Sequence, residues 1–566
     1  MRTYLSLLLV LLWIGTTGCS DQPAALNAPS PEVAGTPNTD DQPATGTAGM
    51  VSSAHPMATQ AGLDILEMGG NAFDAAVAVA AMLNVVEPNM SGVGGYGTIL
   101  VYDASTGQAR FLNASGRIPR GVDSDVFRAP TPRYRENRRG PKAVSTPGNA
   151  NAWQAMWETY GRLPRQNLFT AAIRAAEEGF AISPRLARSI AGAFDEFSDH
   201  ARSIYGRDDQ PPAAGDTLYQ TDLANTLRTL AEHGAGAIHG GAIGQTIDAA
   251  MREAGSFLTL ADLEENEAEW YDPIGIEYRG HEVLTASPPS TAFPSLIRLG
   301  LMSRFDVEAL GHNSTEYLHR FAEATKYAFW CRLAYAGDPE INPPPLDTLL
   351  SEPYWAEHVA VMDLKRASSF APPSIVVAEG MNTTHFVVAD RWGNIVSATQ
   401  TLGNAFGSRI LVEGTGIWLN NSLAYCTFEP KGNPMDAHAG HHKLSGDCPT
   451  IILRDGKPWA ALGTPGGHTI GQTVPQMVMN LIDFDMDIQQ AIAAPRISFT
   501  EPNSLAVERS LDETVRDELA AMGHTLRLVN GLGNAHGLII DYDDTGTPAR
   551  FLGGADPRGE GTAHGY

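Results

Sequence analysis

Between residues 56 and 68 the apolar positions fall at Met57, Ala61, Ile65 and Met68, and Gly69-Gly70 follows. That three-to-four spacing marks one face of a helix, and the glycine pair ends it. Residues 72 to 85 are apolar almost throughout, which predicts a second helix buried on all sides. A glycine-rich turn over 89–97 then leads into a strand-like run at 98–102. From about 150 to 350 helical spacing dominates, as at 151–160, 168–179, 221–234 and 314–336. Beyond 380 the texture changes to short β-branched runs at 385–389, 395–401, 450–454 and 537–542, separated by tight turns. Helices in the first part and strands in the last predict an α+β protein in which both pack in layers.

The ends of this pattern differ from its middle. After Arg2, an apolar run from Tyr4 to Ile14 precedes Thr16-Thr17-Gly18-Cys19. Such a run is too short to cross a bilayer as a mature helix and suits an export signal. The residues before Cys19 resemble a bacterial lipobox, so residues 1–19 are read as a lipoprotein-type signal with Cys19 lipidated. The protein is then exported, periplasmic and membrane-bound only through its lipid. Residues 20–49 are largely Pro, Ala, Thr, Asp and Gly and read as a disordered linker. The formal net charge is -25, which excludes a nucleic-acid partner because phosphate needs a basic face.

The stretch 382–401 carries the candidate chemistry. Two strand-like runs flank Arg391-Trp392-Gly393, a three-residue hairpin loop with Gly in its left-handed position. That loop sets 388 opposite 396, 386 opposite 398, and Thr383 opposite Thr401. Directly opposed residues share a face with Cβ atoms about 5 Å apart, so the two hydroxyls can hydrogen-bond. A Thr-rich hairpin without further purpose has the same pattern.

Thr383-Thr384-His385 before a hairpin resembles the processing site of the γ-glutamyltranspeptidase family of N-terminal nucleophile hydrolases. Further motifs of that family occur in order along the chain. They are Gly69-Gly70-Asn71-Ala72-Phe73-Asp74-Ala75-Ala76, Ser287-Pro288-Pro289-Ser290-Thr291, Phe406-Gly407-Ser408, Gly416-Ile417-Trp418-Leu419-Asn420-Asn421, Gly463-Thr464-Pro465-Gly466-Gly467 and Asp556-Pro557-Arg558. The resemblance implies a four-layer αββα sandwich and autocleavage between Asn382 and Thr383. The products are a large subunit of residues 50–382 and a small catalytic subunit of residues 383–566, held together as a heterodimer. Thr383 is then the nucleophile, with its freed α-amine as base. Thr401 orients it, and the Gly466 and Gly467 amides form an oxyanion hole. The substrate is a small-molecule or peptide amide such as glutathione, the acceptor is water or an amine, and neither metal nor cofactor is needed.

The match breaks in the residues that hold a γ-glutamyl group. Ser115 stands where the family has an Arg that binds the substrate carboxylate, with Arg117 nearby as a substitute. Gly403 stands at the amine-binding Asn, with Asn404 next. Ser422 and Tyr425 replace an amide or acid and an Asp, and Ser445-Gly446 replaces a Ser-Ser pair. An acylase for a glutaryl-type or other non-glutamyl amide is therefore an alternative, and a non-catalytic binding lipoprotein on the same fold is another. Cys331 reads as a buried small hydrophobe. Cys426 and Cys448 bracket a loop that shapes the site in relatives, and a disulfide between them is expected. His438, His441 and His442 lie in that loop and read as solvated rather than as zinc ligands.

Overall fold

Two seven-stranded antiparallel sheets organise the chain. The computed structural model describes residues 38–129, 135–371, 382–500 and 503–566. The signal segment and Cys19 lie outside them, as does most of the linker. The first sheet runs Thr562–Gly565, Gly49–Ser53, Asn382–Asp390, Ile395–Gly403, Tyr96–Asp103, Gln108–Asn113 and Glu269–Tyr271. The second runs Ala44–Gly46, Pro548–Ala555, His536–Tyr542, Lys457–Gly463, Thr450–Arg454, His281–Thr285 and Ile274–Tyr278. Leu100, Phe111, Val387, Ala389, Ile451, Ala461, Leu538 and Ile540 fill the space between them. Helices Pro56–Glu67 and Ala72–Val86 cover the outer face of the first sheet. Helices Phe293–Met302, Thr315–Tyr335, Ile470–Ile482 and Ile488–Ala493 cover the second through a core that includes Val283, Leu296, Ile452, Leu462, Val474 and Ile488. The result is the four-layer αββα sandwich.

Local chemistry accounts for the pieces nearest the threonines. The Ala72–Val86 helix opens on a capping box in which Asn71 and Asp74 satisfy each other's backbone amides, and all its residues are buried. Asp390 at the hairpin corner accepts hydrogen bonds from Trp392 N at 2.9 Å and Asn394 N at 3.1 Å through Oδ1. Its Oδ2 accepts from Ala72 N at 2.8 Å. One carboxylate thus fixes both the turn and the docking of the central helix. Gly393 adopts φ 88°, a left-handed value that closes the three-residue loop as expected.

Two expectations need correction, and a third, the mainly helical region, holds with an addition. The linker does not extend to residue 49. Asn38 exchanges hydrogen bonds with Ala563, at 3.0 Å from its amide and 2.7 Å to its side chain. Ala44–Gly46 then pairs with Pro548–Ala555. Edge pairing is made by backbone groups, so a segment poor in large apolar residues can still add a strand. The mainly helical region also holds the strands Glu269–Tyr271, Ile274–Tyr278 and His281–Thr285. Finally, Cys426 and Cys448 are both free and buried, as is Cys331. Cys426 packs with Ile118, Phe127 and Leu423, whereas Cys448 belongs to the core beneath the second sheet, 3.5 Å from the Thr285 hydroxyl. Alkylation in denaturant without reductant is expected to label all three, read by peptide mass spectrometry. A 426–448 peptide that runs as a crosslink would contradict the assignment.

Candidate active site

The hairpin register is as read from the sequence. Thr383 lies opposite Thr401, Phe386 opposite Ala398, and Val388 opposite Val396. Alternation sends Thr383, His385, Val387 and Ala389 toward the second sheet. Thr384 points the other way, where its hydroxyl donates to Glu87 Oε2 at 2.9 Å. Glu87 closes the C-terminus of the buried helix, and its burial raises its pKa to about 7.

The Thr383 hydroxyl donates to Thr401 Oγ1 at 3.2 Å, and the Thr401 hydroxyl donates to the Asn382 carbonyl at 2.6 Å. Gly403 N donates to Thr401 Oγ1 at 2.8 Å, so every lone pair and proton of that hydroxyl is assigned. The register slips by one between Asn382 and Thr383. This bulge turns the Asn382 carbonyl off the ladder and onto Thr401. Gly403 has φ 99°, and a Cβ there would lie 2.2 Å from Asn421 Oδ1, so only glycine lets its amide reach Thr401.

The opposing sheet presses on this face at Gly463, where a Cβ would lie 2.3 Å from the His385 ring. His385 bonds Thr399 Oγ1 at 2.8 Å, and burial keeps its imidazole neutral. Three residues past this contact come Gly466 at φ 142° and Gly467 at φ 60°, at the start of the turn into helix Ile470–Ile482. Neither amide has an acceptor among the described residues. Two free N–H groups at the positive end of a helix suit developing negative charge.

The departures from the family pattern are engaged as follows. Ser115 is buried, 3.5 Å from the Gly97 carbonyl. Arg117 is committed to Glu269 at 2.9 Å and Glu340 at 3.7 Å. Asn404 N donates to Asn421 Oδ1 at 2.8 Å. The Ser422 hydroxyl bonds that of Ser145, and the Tyr425 ring meets Tyr96 edge-on at 6.4 Å. Ser445 lies beside Thr98, with oxygens 3.3 Å apart, and Gly446 separates it from Asp447. The buried residues Tyr96, Lys443 and Asp447 share this neighbourhood and were not among the sequence candidates. Their one signal is Lys-Leu-Ser-Gly-Asp, which ends two residues before the buried strand Thr450–Arg454 and puts two charges there.

His442 is not a solvated loop residue. Its side chain is 4% exposed, with Nε2 2.7 Å from Glu269 and Nδ1 3.2 Å from Asp338. Burial alone would lower its pKa, but the hydrogen bonds to the two carboxylates outweigh it and push it up to about 9. The charged form therefore stabilises the fold fully below the ordinary value near 6.5, and this is lost as pH rises to about 9. Urea midpoints of wild type and His442→Gln are expected to converge over that window. A constant difference from pH 6 to 10 would contradict it.

Residues 58–566 match the family model for gamma-glutamyltranspeptidase. The chain is 33% identical to the glutathione hydrolase proenzyme of Bacillus subtilis strain 168, over 92% of each protein. It is also 33% identical to the acylase ACY 1 proenzyme of Pseudomonas sp. strain V22, over 91% of this chain and 95% of the relative. The solved cephalosporin acylase from Bacillus halodurans superposes with a TM-score of 0.84 at 29% identity, covering 97% of this chain and 99% of that one. A threonine pair joined to the carbonyl before it, in a sandwich matched over its length by hydrolase and acylase proenzymes, makes this chain a member of the γ-glutamyltranspeptidase family.

Proposed function

We propose that this chain cuts itself between Asn382 and Thr383 and then uses Thr383 as the nucleophile on γ-glutamyl or related acyl amides. The observation that carries the reading is the relay from the Thr383 hydroxyl to Thr401 and on to the Asn382 carbonyl, at 3.2 and 2.6 Å. As Thr383 Oγ1 attacks that carbonyl carbon, Thr401 takes its proton and gives its own to the carbonyl oxygen. Collapse passes that proton to the departing nitrogen, breaks the C–N bond and so frees the Thr383 α-amine, leaving an ester that water hydrolyses to a carboxylate on Asn382 and the Thr383 hydroxyl. An α-amine titrates near pH 8 (about 7.7 to 8.0), so it can then serve as the base for substrate. Gly466 and Gly467 would receive the substrate oxyanion. Residues 383–566 form the small subunit, and the large subunit ends at Asn382.

Relatives named glutathione hydrolase support a γ-glutamyl donor, with water or an amine as acceptor. The likeness to cephalosporin acylase, together with Ser115 and Tyr425 in place of charged residues, supports a second reading as an acylase for another amide. Arg2, the apolar run and Cys19 support export as a lipid-anchored protein. Among the described residues no helix is long and apolar enough to cross a membrane. Intact mass and N-terminal sequencing of the purified protein are expected to give two fragments, the smaller beginning at Thr383. A full-length, uncut product would overturn the reading.

A further inference from the structure

The threonine pair has a charged neighbour that the hairpin does not account for. Tyr96 lies opposite Thr401, as Thr401 lies opposite Thr383, and each such step separates Cβ atoms by about 5 Å. The Lys443 ammonium sits over the Tyr96 ring, 3.1 Å from its centroid. Asp447 Oδ2 accepts from Ser445 Oγ at 2.9 Å, and that hydroxyl is 3.3 Å from Thr98 Oγ1. Thr98 pairs with Thr399, two residues along from Thr401. Both charged residues are buried, Lys443 1% exposed and Asp447 3%.

These opposite charges do not satisfy one another. They feel each other's field, yet no ion pair closes between them within 4.0 Å. The Lys443 ammonium donates to the Leu444 carbonyl at 3.2 Å, which is one acceptor for a group with three protons. Burial drives Lys443 toward its neutral form and Asp447 toward its protonated form, each opposed by the other's charge. Two buried charges held apart, with no net charge between them, are complementary to a ligand that is itself dipolar. A tail bearing only a carboxylate would suit Lys443 and be repelled by Asp447, and a tail bearing only an ammonium would meet the reverse.

We propose that Lys443 and Asp447 are the specificity-determining residues for the acyl tail, Lys443 receiving a carboxylate and Asp447 an ammonium. The favoured donor then carries an α-amino-acid head group a short chain beyond the carbonyl that Thr383 attacks. This rests on Thr383 being the nucleophile. The positions that resemblance assigns to these charges cannot supply them. Ser115, Gly403 and Tyr425 are uncharged, and Arg117 is held by Glu269.

Three p-nitroanilides test the site: γ-glutamyl, glutaryl, which lacks the ammonium, and pentanoyl, which lacks both charges. Wild type is expected to favour γ-glutamyl over pentanoyl in kcat/KM by about a hundredfold. Lys443→Met should collapse the preference of both γ-glutamyl and glutaryl over pentanoyl, through KM rather than kcat, and Lys443→Arg should restore part of it. Asp447→Asn should lower γ-glutamyl relative to glutaryl. Denaturing gels come first, because two fragments report a folded, processed enzyme. If Lys443→Met stays uncut, the ratios in Asp447→Asn and Lys443→Arg decide. A cut, active wild type indifferent to the tail, or variants that keep the wild-type ratios, would overturn this site and leave the nucleophile reading intact. An uncut wild type would instead sink the nucleophile reading.

Discussion

Thr383→Ala is expected to run as one band on a denaturing gel and to turn over anilides at least about four orders of magnitude more slowly than wild type. The residue supplies both reactions proposed here. Its hydroxyl donates to Thr401, which polarises the Asn382 carbonyl, and no neighbouring hydroxyl can take its place in that relay. Thr384 is turned to the opposite face and bonded to Glu87. Thr383→Ser keeps the hydroxyl and is expected to cut, more slowly, because the methyl group that fixes the rotamer is gone. Thr401→Val should slow cutting by about a hundred- to a thousandfold, the usual cost of one donor to a developing oxyanion. Mass spectrometry over a time course separates the three. Cleavage of the alanine variant at wild-type rate would remove Thr383 from the chemistry.

Much of this site could be read from residues alone because local rules fixed it. Asp390, Gly393 and the β-branched runs on either side leave one hairpin register, and that register brings the hydroxyls together. The buried helix 72–86 was legible for a similar reason, since its apolar run admits no solvated face. What was missed depends on parts of the chain distant in sequence. Ala44–Gly46 becomes a strand only because Pro548–Ala555 offers an edge. Cys426 and Cys448 look like partners along the chain, yet they fall into separate apolar clusters. Lys443 was invisible because nothing local predicts that an ammonium will rest on Tyr96, nearly 350 residues earlier in the sequence.

Asp556→Ala is expected to cost about 3–5 kcal/mol of stability. Asp556 and Arg496 have side chains at 0% exposure and meet at 2.6 Å. Arg558 adds a second contact at 2.9 Å, and the Ala535 amide donates to the same carboxylate at 2.8 Å. Burial alone would raise the Asp556 pKa, but the two guanidinium groups hold it well below the usual range. This stability is present above the ordinary carboxylate pKa and is lost as pH falls toward the folded-state value. Truncation leaves Arg496 buried with its charge uncompensated, which is the costly half of such a change. Pairing Asp556→Leu with Arg496→Met should therefore recover much of the loss. Urea unfolding at constant slope measures both. A single variant within 1 kcal/mol of wild type would show that the pair is dispensable.

The strand Gly49–Ser53 lies between Thr562–Gly565 on one side and Asn382–Asp390 on the other. A cut after Asn382 therefore leaves one piece threaded between two strands of the other. In the second sheet, four strands of the later piece are likewise enclosed by Ala44–Gly46 at one edge and His281–Thr285 at the other. Neither piece owns a complete sheet, so each made alone would expose unpaired edges of the kind that aggregate. The two halves are expected to be obtainable only by being born as one polypeptide, and mixing them after separate synthesis should yield precipitate rather than enzyme. The proposed maturation would resemble snipping a thread inside a finished weave: the fabric would hold, and only the new end would be free to react.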